Sequence, residues 1–203
     1  FAMICSNSVQ EAMDLGAVAH LSSIEGRVPF LHFFDGFRTS HELQKIEVWD
    51  YDELKEMVNM DAVEAFRKRA LLPESPTLHG SAQNPDTYFQ AREACNPYYE
   101  AFPDVVEKYM NMVNAKIGTD YKPFNYIGAP DAERVIIAMG SVCETIDETI
   151  EYLVSKGEKV GAIKVRLYRP FSAKHLLSVM PKTVKTINVI DRTKEAGSAG
   201  EPL

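Results

Sequence analysis

Five consecutive polar residues, Arg38 to Glu42, carry the side chains of this chain best suited to act together on a ligand. They supply a guanidinium, two hydroxyls, an imidazole and a carboxylate. A guanidinium offers planar, bidentate recognition of a carboxylate or phosphate. We therefore interpret the run as one wall of a ligand site, with Arg38, Thr39 and His41 as candidate residues of a substrate channel. The alternative is that the five residues cap the next element and pair with one another, Arg38 with Glu42.

The polar run is positioned by the apolar and aromatic segment Val28 to Phe34, whose composition predicts a strand buried on both faces. Asp35-Gly36 ends this segment, because glycine tolerates the positive φ that a sharp exit from a sheet often needs. Ligand crevices of α/β proteins lie at the loops that leave the carboxyl ends of parallel strands. The polar run follows such an end, and we therefore expect it to face a ligand.

The strand over Val28 to Phe34 is predicted to be the second strand of a βαβ unit. Phe1 to Cys5 is predicted to be the first strand, and Ser8 to Glu11 forms a capping box for a helix that ends near Gly26. Strand, helix and strand within about 35 residues indicate a parallel pair with a right-handed crossover. The residues expected on the buried face of the helix are Met13, Gly16, Ala17, His20 and Ile24.

A helical arm is predicted after this unit. Lys45 to Asp50 alternates in polarity, which fits a short edge strand or an extended arm. Aromatic residues are dense in the arm, and they favour a seam with a neighbouring domain over stacking on a ligand ring. The helices are predicted over Asp50 to Val58, over Asp61 to Leu71, from Asn84-Pro85, from Asn96-Pro97, and from a break at Pro103 to a stop at Gly118.

A second unit with a β-α-β-α-β pattern is predicted from Tyr121 onward. Its strands are expected over Arg134 to Met139, Val160 to Leu167 and Thr186 to Ile190, with helices from Ser141 to Lys156 and from Ser172 to Met180. The chain is thus predicted to be an α/β protein. It has a partial parallel sheet with flanking helices, then a helical arm, then a second β-α-β-α-β half-sheet.

Two loops of the second unit are further candidate ligand sites. Gly140-Ser141 places backbone N–H groups at a helix N-terminus, where anions bind, although a capping box from Ser141 to Glu144 is expected to occupy two of them. No GxGxxG follows, so this is not a dinucleotide fingerprint. Asp191 to Gly200 is charged and glycine-rich but lacks a P-loop motif, and its composition fits a ligand-facing loop and a plain connector equally well.

The composition is that of an ordinary soluble globular protein and argues against several function classes. The formal net charge of -7 and the pI near 5.3 disfavour a nucleic-acid surface. No apolar stretch is long enough to span a bilayer, and no basic run suggests a membrane surface. Cys5, Cys95 and Cys143 are isolated and odd in number, so they indicate neither a CxxC motif nor a disulfide framework. A cytoplasmic location is therefore expected.

Longer sequence words are more specific than these patterns. In order along the chain they are His32–Glu42 (HFFDGFRTSHE), Gln83–Gln90 (QNPDTYFQ), Asn96–Tyr99 (NPYY), Gly128–Arg134 (GAPDAER), Ile163–Phe171 (IKVRLYRPF) and Asp191–Glu195 (DRTKE). Over essentially the whole chain they resemble the pyruvate:ferredoxin/flavodoxin oxidoreductase (pyruvate synthase) family. The resemblance implies an internal part of such an enzyme. Residues 1–50 would be the C-terminal part of a thiamine-diphosphate pyrimidine-binding domain, 51–120 a helical arm or linker, and 121–203 the N-terminal part of a domain similar to the transketolase C-terminal domain.

The resemblance also implies an activity for the full-length protein. The family oxidatively decarboxylates pyruvate to acetyl-CoA and CO₂ with coenzyme A, and it passes electrons to ferredoxin or flavodoxin. It uses thiamine diphosphate, Mg²⁺ and [4Fe-4S] clusters, and a homodimer in the cytoplasm is expected. The partners implied for this segment are the remaining domains of the same polypeptide.

No catalytic, cofactor-binding or metal-binding residue is carried over from the family. Its thiamine-activating Glu and its pyruvate-contacting Thr and Arg are expected upstream of Phe1, and its main coenzyme A contacts beyond Leu203. This chain has neither a GDG-type diphosphate motif nor a cysteine run for a cluster. Transketolases place an Arg on the substrate channel at the end of the corresponding strand, which makes Arg38 the best site candidate.

The chain alone is therefore expected to be structural and inactive, and three alternatives stay open. One is a non-catalytic assembly or interface module. Another is a different 2-oxoacid:ferredoxin oxidoreductase. The third is an independent nucleotide-binding oxidoreductase, which would need a glycine fingerprint on the first strand-to-helix turn, and that turn does not have one.

Overall fold

The computed structural model of the chain describes residues 1–78, 80, 82–194 and 196–203. Strands and helices are interspersed along the chain, as in an α/β protein. The strands are β1 (Ala2–Cys5), β2 (Phe30–Phe33), β3 (Phe124–Gly128), β4 (Arg134–Ala138), β5 (Val160–Val165), β6 (Leu167–Arg169) and β7 (Thr186–Val189). The helices are α1 (Val9–Gly26), α2 (Tyr51–Met57), α3 (Met60–Arg67), α4 (Pro85–Glu93), α5 (Asn96–Ile117), α6 (Val142–Ser155) and α7 (Ala173–Val179).

The strands form two mixed sheets, and the predicted α/β class is confirmed. The first sheet has the order β2-β1-β6, with β2 parallel and β6 antiparallel to β1. The second has the order β3-β5-β4-β7, in which β4 is parallel to both neighbours and β3 is antiparallel to β5. The β4-α6-β5-α7-β7 succession matches the predicted half-sheet. Strand β3 was not predicted.

The single strand predicted over Val160 to Leu167 is wrong, because the chain changes sheets at Arg166. The backbone N–H of Arg166 donates to the Pro123 carbonyl at 3.0 Å, on the second sheet's side. Its carbonyl accepts from the N–H of Cys5 at 2.8 Å, on the first sheet's side. Strand β5 therefore ends at Val165, and β6 continues as a strand of the first sheet.

The prediction that Val28 to Phe34 forms a strand buried on both faces is also wrong. Strand β2 covers only Phe30–Phe33 and lies at the edge of its sheet. Leu31 is 45% exposed and Phe34 is 41% exposed. The described chain has one strand beside β2, so one edge of β2 stays open. An apolar run identifies a strand, but the number of neighbouring strands decides how deeply it is buried.

Helix α1 begins as predicted but buries a different face. The Ser8 side chain accepts from the N–H of Glu11 at 3.2 Å, and the Glu11 carboxylate accepts from the N–H of Asn7 at 2.9 Å. The expected face is only partly buried, and His20 on it is exposed. The buried residues are Asp14, Leu15, Val18, Ala19, Leu21 and Ser22, because α5 packs along α1 and creates a second buried side.

Helix α5 runs without a break through Pro103, contrary to prediction. The helix is extensively packed, with Phe102, Val106, Tyr109, Met110 and Val113 in the core that it shares with α1. This burial stabilises the helix enough to offset the backbone hydrogen bond that Pro103 cannot donate. The helix start at Asn96-Pro97 and the left-handed stop at Gly118 (φ 74°) are confirmed.

The remaining elements complete both units. Lys45 to Asp50 is an extended arm without strand pairing in the described chain, and Gln10 holds it by two hydrogen bonds to the backbone of Glu47, at 2.8 and 3.0 Å. Helix α6 packs on β5 and β3, and α7 packs on β3. Within the described ranges no helix is long and apolar enough to cross a membrane.

Candidate functional site

The ends of strands from both sheets meet at one open cleft of about 970 Å³. Its walls come from β1, from the loop after β2, from the turn between β4 and α6, from β6 and from the segment after β7. The parallel strands β1 and β2 of the first sheet and β4 and β7 of the second have their carboxyl ends here, which is where α/β folds place ligands.

Side chains of the first unit hold the turn between β4 and α6. The backbone N–H of Ser141 donates to Asp35 Oδ2 at 2.6 Å, and that of Gly140 donates to Asn7 Oδ1 at 3.1 Å. Ser141 makes no side-chain cap, so the predicted capping box is wrong. Gly140 has φ of 83°, and a Cβ there would lie 2.6 Å from the Asp35 carboxylate. These backbone donors therefore join the two units and are not free to bind an anion.

A buried ion pair reinforces the same junction. Arg166 donates from Nη2 to Glu11 Oε1 at 2.7 Å and from Nε to Glu11 Oε2 at 3.2 Å. The side chains of Arg166 and Glu11 are 4% and 12% exposed. Arg166 also bonds Asn125 and stacks on the Tyr121 ring at 5.1 Å. All three nitrogens of the guanidinium thus donate to side chains of the protein, and we interpret this arginine as structural.

Of the three predicted channel residues, the structure places one in the cleft. Arg38 lines it and is exposed. Thr39 is buried, at 6% exposed, and is not part of the lining. His41 is exposed outside the cleft, with Nδ1 2.7 Å from Ser40 Oγ. The three side chains therefore do not line the same cleft.

The backbone after β2 turns at a different residue from the one predicted. Phe37, and not Gly36, takes the left-handed conformation, with φ of 70°. Its N–H donates to Ser40 Oγ at 2.9 Å, and its ring lies 5.9 Å from the His41 ring. A bulky residue with positive φ is strained, and such strain is common at ligand sites. The turn presents Arg38 to the cleft.

The charges of the cleft are mixed. Arg38 and Arg192 supply two guanidiniums, and Arg192 lies 3.7 Å from Asp35. The expected pair of Arg38 with Glu42 is not among the ion pairs of the described residues, although both residues line the cleft. Burial raises the pKa of Glu144, and the carboxylates of Glu42 and Glu11 raise it further. Arg38 is therefore the cleft cation best placed to receive a ligand carboxylate or phosphate.

The two buried thiols near the cleft are protonated at neutral pH. Burial, followed by the Asp35 charge, raises the pKa of the Cys5 thiol to about 12. Burial likewise raises the pKa of Cys143 to about 12. Burial and then His20 lower the pKa of His32, whose Nε2 lies 2.7 Å from Ser6 Oγ. Buried thiols stay protonated and are poor nucleophiles, so neither cysteine is placed to act as a nucleophile at the cleft.

The loop predicted over Asp191 to Gly200 contributes to the cleft at its start. Asp191, Arg192 and Thr193 line it, which favours the ligand-facing alternative for this part of the loop. Asp191 Oδ2 accepts from the N–H of Leu203 at 3.0 Å, so the chain folds back beside the loop. Glu195, which belongs to the predicted loop and to one of the sequence words, lies outside the described residues.

Sequence reasoning missed the residues that build the junction. Asp35 was interpreted only as a turn residue, and Asn7 and the Glu11–Arg166 pair were not singled out. Glu11 and Arg166 are 155 positions apart, so local spacing carries no signal for their pairing. The Glu11 carboxylate was expected only as a helix cap, which it also is.

The fold and cleft define the class: an α/β protein with a cleft at strand ends that two units share. Comparison with known proteins supplies the family. Residues 1–111 match the family described as pyruvate flavodoxin/ferredoxin oxidoreductase, thiamine diphosphate-binding, and residues 132–203 match pyruvate:ferredoxin oxidoreductase core domain II. The chain belongs to the pyruvate:ferredoxin/flavodoxin oxidoreductase family, and the resemblance found in the sequence words is confirmed.

Individual relatives agree along the full chain. It is 63% identical over 203 residues to the pyruvate:ferredoxin oxidoreductase of Moorella thermoacetica, and 60% identical over 202 residues to the pyruvate-flavodoxin oxidoreductase of Enterobacter agglomerans. Each comparison covers 100% of this chain and 17% of the relative, so the chain spans about a sixth of these relatives' length.

A solved structure supports the fold. The 2-oxoglutarate:ferredoxin oxidoreductase from Magnetococcus marinus, with 2-oxoglutarate, coenzyme A and succinyl-CoA bound, aligns with a TM-score of 0.54. The alignment covers 93% of this chain and 34% of that one, at 16% sequence identity. At this identity the likeness concerns the fold alone.

Proposed function

We propose that this chain joins a thiamine-diphosphate pyrimidine-binding domain to the next domain of a pyruvate:ferredoxin/flavodoxin oxidoreductase. The observation that carries the proposal is identity of 60–63% across the whole chain to two relatives with those names. The full-length protein would oxidatively decarboxylate pyruvate to acetyl-CoA and CO₂, with coenzyme A as acyl acceptor. The electrons would pass to ferredoxin or flavodoxin.

The junction gives this chain a mechanical role in that reaction. Asp35 and Asn7 accept hydrogen bonds from the backbone before α6 and so hold it against the ends of β1 and β2. Glu11 on α1 forms an ion pair with Arg166, between β5 and β6. These bonds keep the strand ends of both units in fixed relation, so that Arg38 faces the cleft from a rigid edge. A rigid edge is what orientation of a small anionic substrate such as pyruvate requires.

The cofactors proposed for the full-length enzyme are thiamine diphosphate, Mg²⁺ and [4Fe-4S] clusters. Thiamine diphosphate, when bound, would supply the electron sink that decarboxylation of a 2-oxoacid needs. A [4Fe-4S] cluster needs four thiolates and the chain has three cysteines. Of the described residues, only Asp104, Glu107 and His175 bring three metal-ligand atoms together, and they lie outside the cleft. In line with the family resemblance, we propose that the Mg²⁺-diphosphate ligands and the clusters lie elsewhere in the polypeptide.

The proposed domain boundaries are 1–50, 51–120 and 121–203, within a cytoplasmic homodimer. A second role, as an interface module, is favoured by the segment from Leu43 to Phe89. Its large apolar side chains are exposed: Leu43 at 100%, Val48 at 71%, Tyr51 at 87%, Phe66 at 69%, Leu78 at 98% and Phe89 at 66%. Where such side chains form a contiguous patch, they mark a contact surface. The other domains of the same polypeptide or a second subunit would cover them.

The test uses the full-length enzyme under anaerobic conditions. With pyruvate, coenzyme A and oxidised ferredoxin or flavodoxin, we expect formation of acetyl-CoA and reduction of the electron carrier. A higher kcat/KM with 2-oxoglutarate than with pyruvate would assign the chain to a different 2-oxoacid enzyme. The 203-residue chain alone should show no turnover and no heat of thiamine diphosphate binding in calorimetry with Mg²⁺. Binding at micromolar affinity would contradict the structural role.

A further inference from the structure

A second group of titratable side chains lies outside the cleft, where α5 meets α7. Asp104 and Glu107 are three residues apart on α5, so they share one face of that helix. His175 comes from α7, and its side chain is 6% exposed. One ligand atom from each residue lies within 4.8 Å of the other two. Two carboxylates and an imidazole thus converge at the contact between two helices.

The imidazole of His175 is aimed at the two carboxylates. Its Nε2 lies 3.2 Å from Asp104 Oδ1 and 3.5 Å from Glu107 Oε2. This nitrogen is shielded from solvent, yet its geometry forms no hydrogen bond. A buried polar atom without a partner lowers stability. A bound group that accepts the lone pair of Nε2 would remove that cost.

The other side of the imidazole is already fixed. Ser172 Oγ lies 2.7 Å from His175 Nδ1 and caps the start of α7. When Nδ1 carries the proton and donates it to Ser172, the lone pair of Nε2 points at the carboxylates. Metal-binding histidines are oriented in this way by a hydrogen bond to their second nitrogen.

We propose that Asp104, Glu107 and His175 bind a divalent transition-metal cation, with Zn²⁺ preferred. Tetrahedral Zn²⁺ with bonds of about 2.0–2.2 Å places its ligand atoms roughly 3.4 Å apart. The separations of Nε2 from the two carboxylates, 3.2 and 3.5 Å, already match this spacing. Both carboxylate side chains are partly exposed, at 59% and 41%, so they are free to adjust, and water would complete the shell.

The ligand types select the class of ion. Mg²⁺ and Ca²⁺ prefer shells made only of oxygen atoms, whereas imidazole with carboxylates suits zinc and its neighbours. Among first-row ions the same ligands bind Zn²⁺ more tightly than Mn²⁺. The expected order of affinity is therefore Zn²⁺, then Mn²⁺, then Mg²⁺.

Lys174 competes with the cation for one ligand. Its Nζ lies 2.7 Å from Asp104 Oδ1, and its side chain is 73% exposed. The Lys174 ammonium is therefore the ion-pair partner that a cation would have to displace from Asp104. A bound cation would replace the ammonium, which would turn toward solvent. The ion would then clamp α7 to α5, between the second unit and the arm.

The test is zinc content in the full-length enzyme. Wild type and His175→Gln are dialysed to equilibrium against Zn²⁺, and bound zinc is measured by mass spectrometry. We expect one zinc ion fewer per polypeptide in His175→Gln. The matched control is His20→Gln, because His20 is an exposed helix histidine outside the group. Equal zinc content in wild type and His175→Gln would overturn the proposal.

Two exposed positions keep the test decisive if His175→Gln does not fold. Glu107→Gln should weaken zinc binding by at least about tenfold, since Gln lacks the charge of the ligand. Lys174→Ala should tighten it several-fold, because the competing ammonium is gone. A purely structural cluster predicts unchanged zinc affinity in both variants, and that result would contradict the site. Millimolar Mg²⁺ should leave the zinc in place; displacement by Mg²⁺ would contradict the proposed ion class.

Discussion

Helix α1 and the cleft use charged side chains in opposite ways. The three carboxylates of α1 that face other elements all have partners. Glu11 binds Arg166, Asp14 accepts from the Tyr121 hydroxyl at 2.8 Å, and Glu25 accepts from Lys108 and from the Tyr109 hydroxyl at 2.6 Å. At the cleft, Arg38 is exposed and its guanidinium is in no ion pair with a described residue. Matched charges contribute stability, and an unmatched charge at a cleft edge is available for a ligand.

The charged side chains of α1 and Arg38 at the cleft also differ in how deeply they are buried. Burial raises the pKa of Asp14 even though Tyr121 and Gln10 donate to its carboxylate. Each charge of α1 is thus tolerated only with its partner in place. Removing one partner should act mainly on stability. At Arg38 the converse should hold.

The largest effect is expected at the buried pair. Glu11→Gln removes the charge that balances Arg166 and should lower the local free energy of opening by about 3–5 kcal/mol. Hydrogen–deuterium exchange of the β5–β6 segment in the full-length enzyme measures this. Glu158→Gln is the control, because the Glu158–Arg134 pair is exposed, at 50% and 59%, and should change opening by only about 0–1 kcal/mol. Equal protection in both variants would show that the junction does not depend on the pair.

A smaller effect, on rate, is expected at the cleft. Arg38→Ala in the full-length enzyme should reduce kcat/KM for pyruvate or coenzyme A by about ten- to a hundredfold, because a charge-assisted contact of roughly 1.5–3 kcal/mol is lost. Thermal unfolding should be unchanged. Arg67→Ala serves as the control, since Arg67 is exposed on α3 away from the cleft. If kcat/KM for both substrates is unchanged in Arg38→Ala, the loop has only a structural role. The cleft and α1 would then not differ in how they use charged side chains.

The smallest effect is expected at Glu25 and depends on pH. Burial would raise its pKa, but hydrogen bonds from Lys108, Tyr109 and Asn59 outweigh burial and lower the pKa from 4.5 to about 2. A lowered folded-state pKa stabilises the fold above the unfolded value, and this stabilisation is lost as the pH falls toward 2. Because Lys108 is half exposed, we expect about 1–2 kcal/mol at neutral pH.

The measurement for Glu25 is the free energy of local opening of α1 and α5, obtained by hydrogen–deuterium exchange and compared between wild type and Glu25→Gln. The difference should be constant between about pH 7 and 5 and should begin to shrink near the ordinary carboxyl pKa of about 4.3. A difference that does not vary with pH would assign the effect of Glu25 to packing and not to charge.

Several local features of this protein followed from its sequence alone. The helix starts at Ser8, Asn84-Pro85 and Asn96-Pro97 and the stop at Gly118 were predicted correctly, as was the α/β class. These signals act on neighbouring backbone groups, through caps, through proline at the first turn and through glycine in the left-handed conformation. The placement of Arg38 beside a strand end followed from the same local order of apolar and polar residues.

The tertiary structure alone decided which residues meet. The exposure of β2, the passage of β6 into the first sheet and the bond of Asp35 to Ser141 depend on how two sheets lie against each other. The Glu11–Arg166 pair joins residues 155 positions apart. No periodicity or cap motif encodes such a distance, because the free energy comes from burial and charge pairing that exist only after both units are folded.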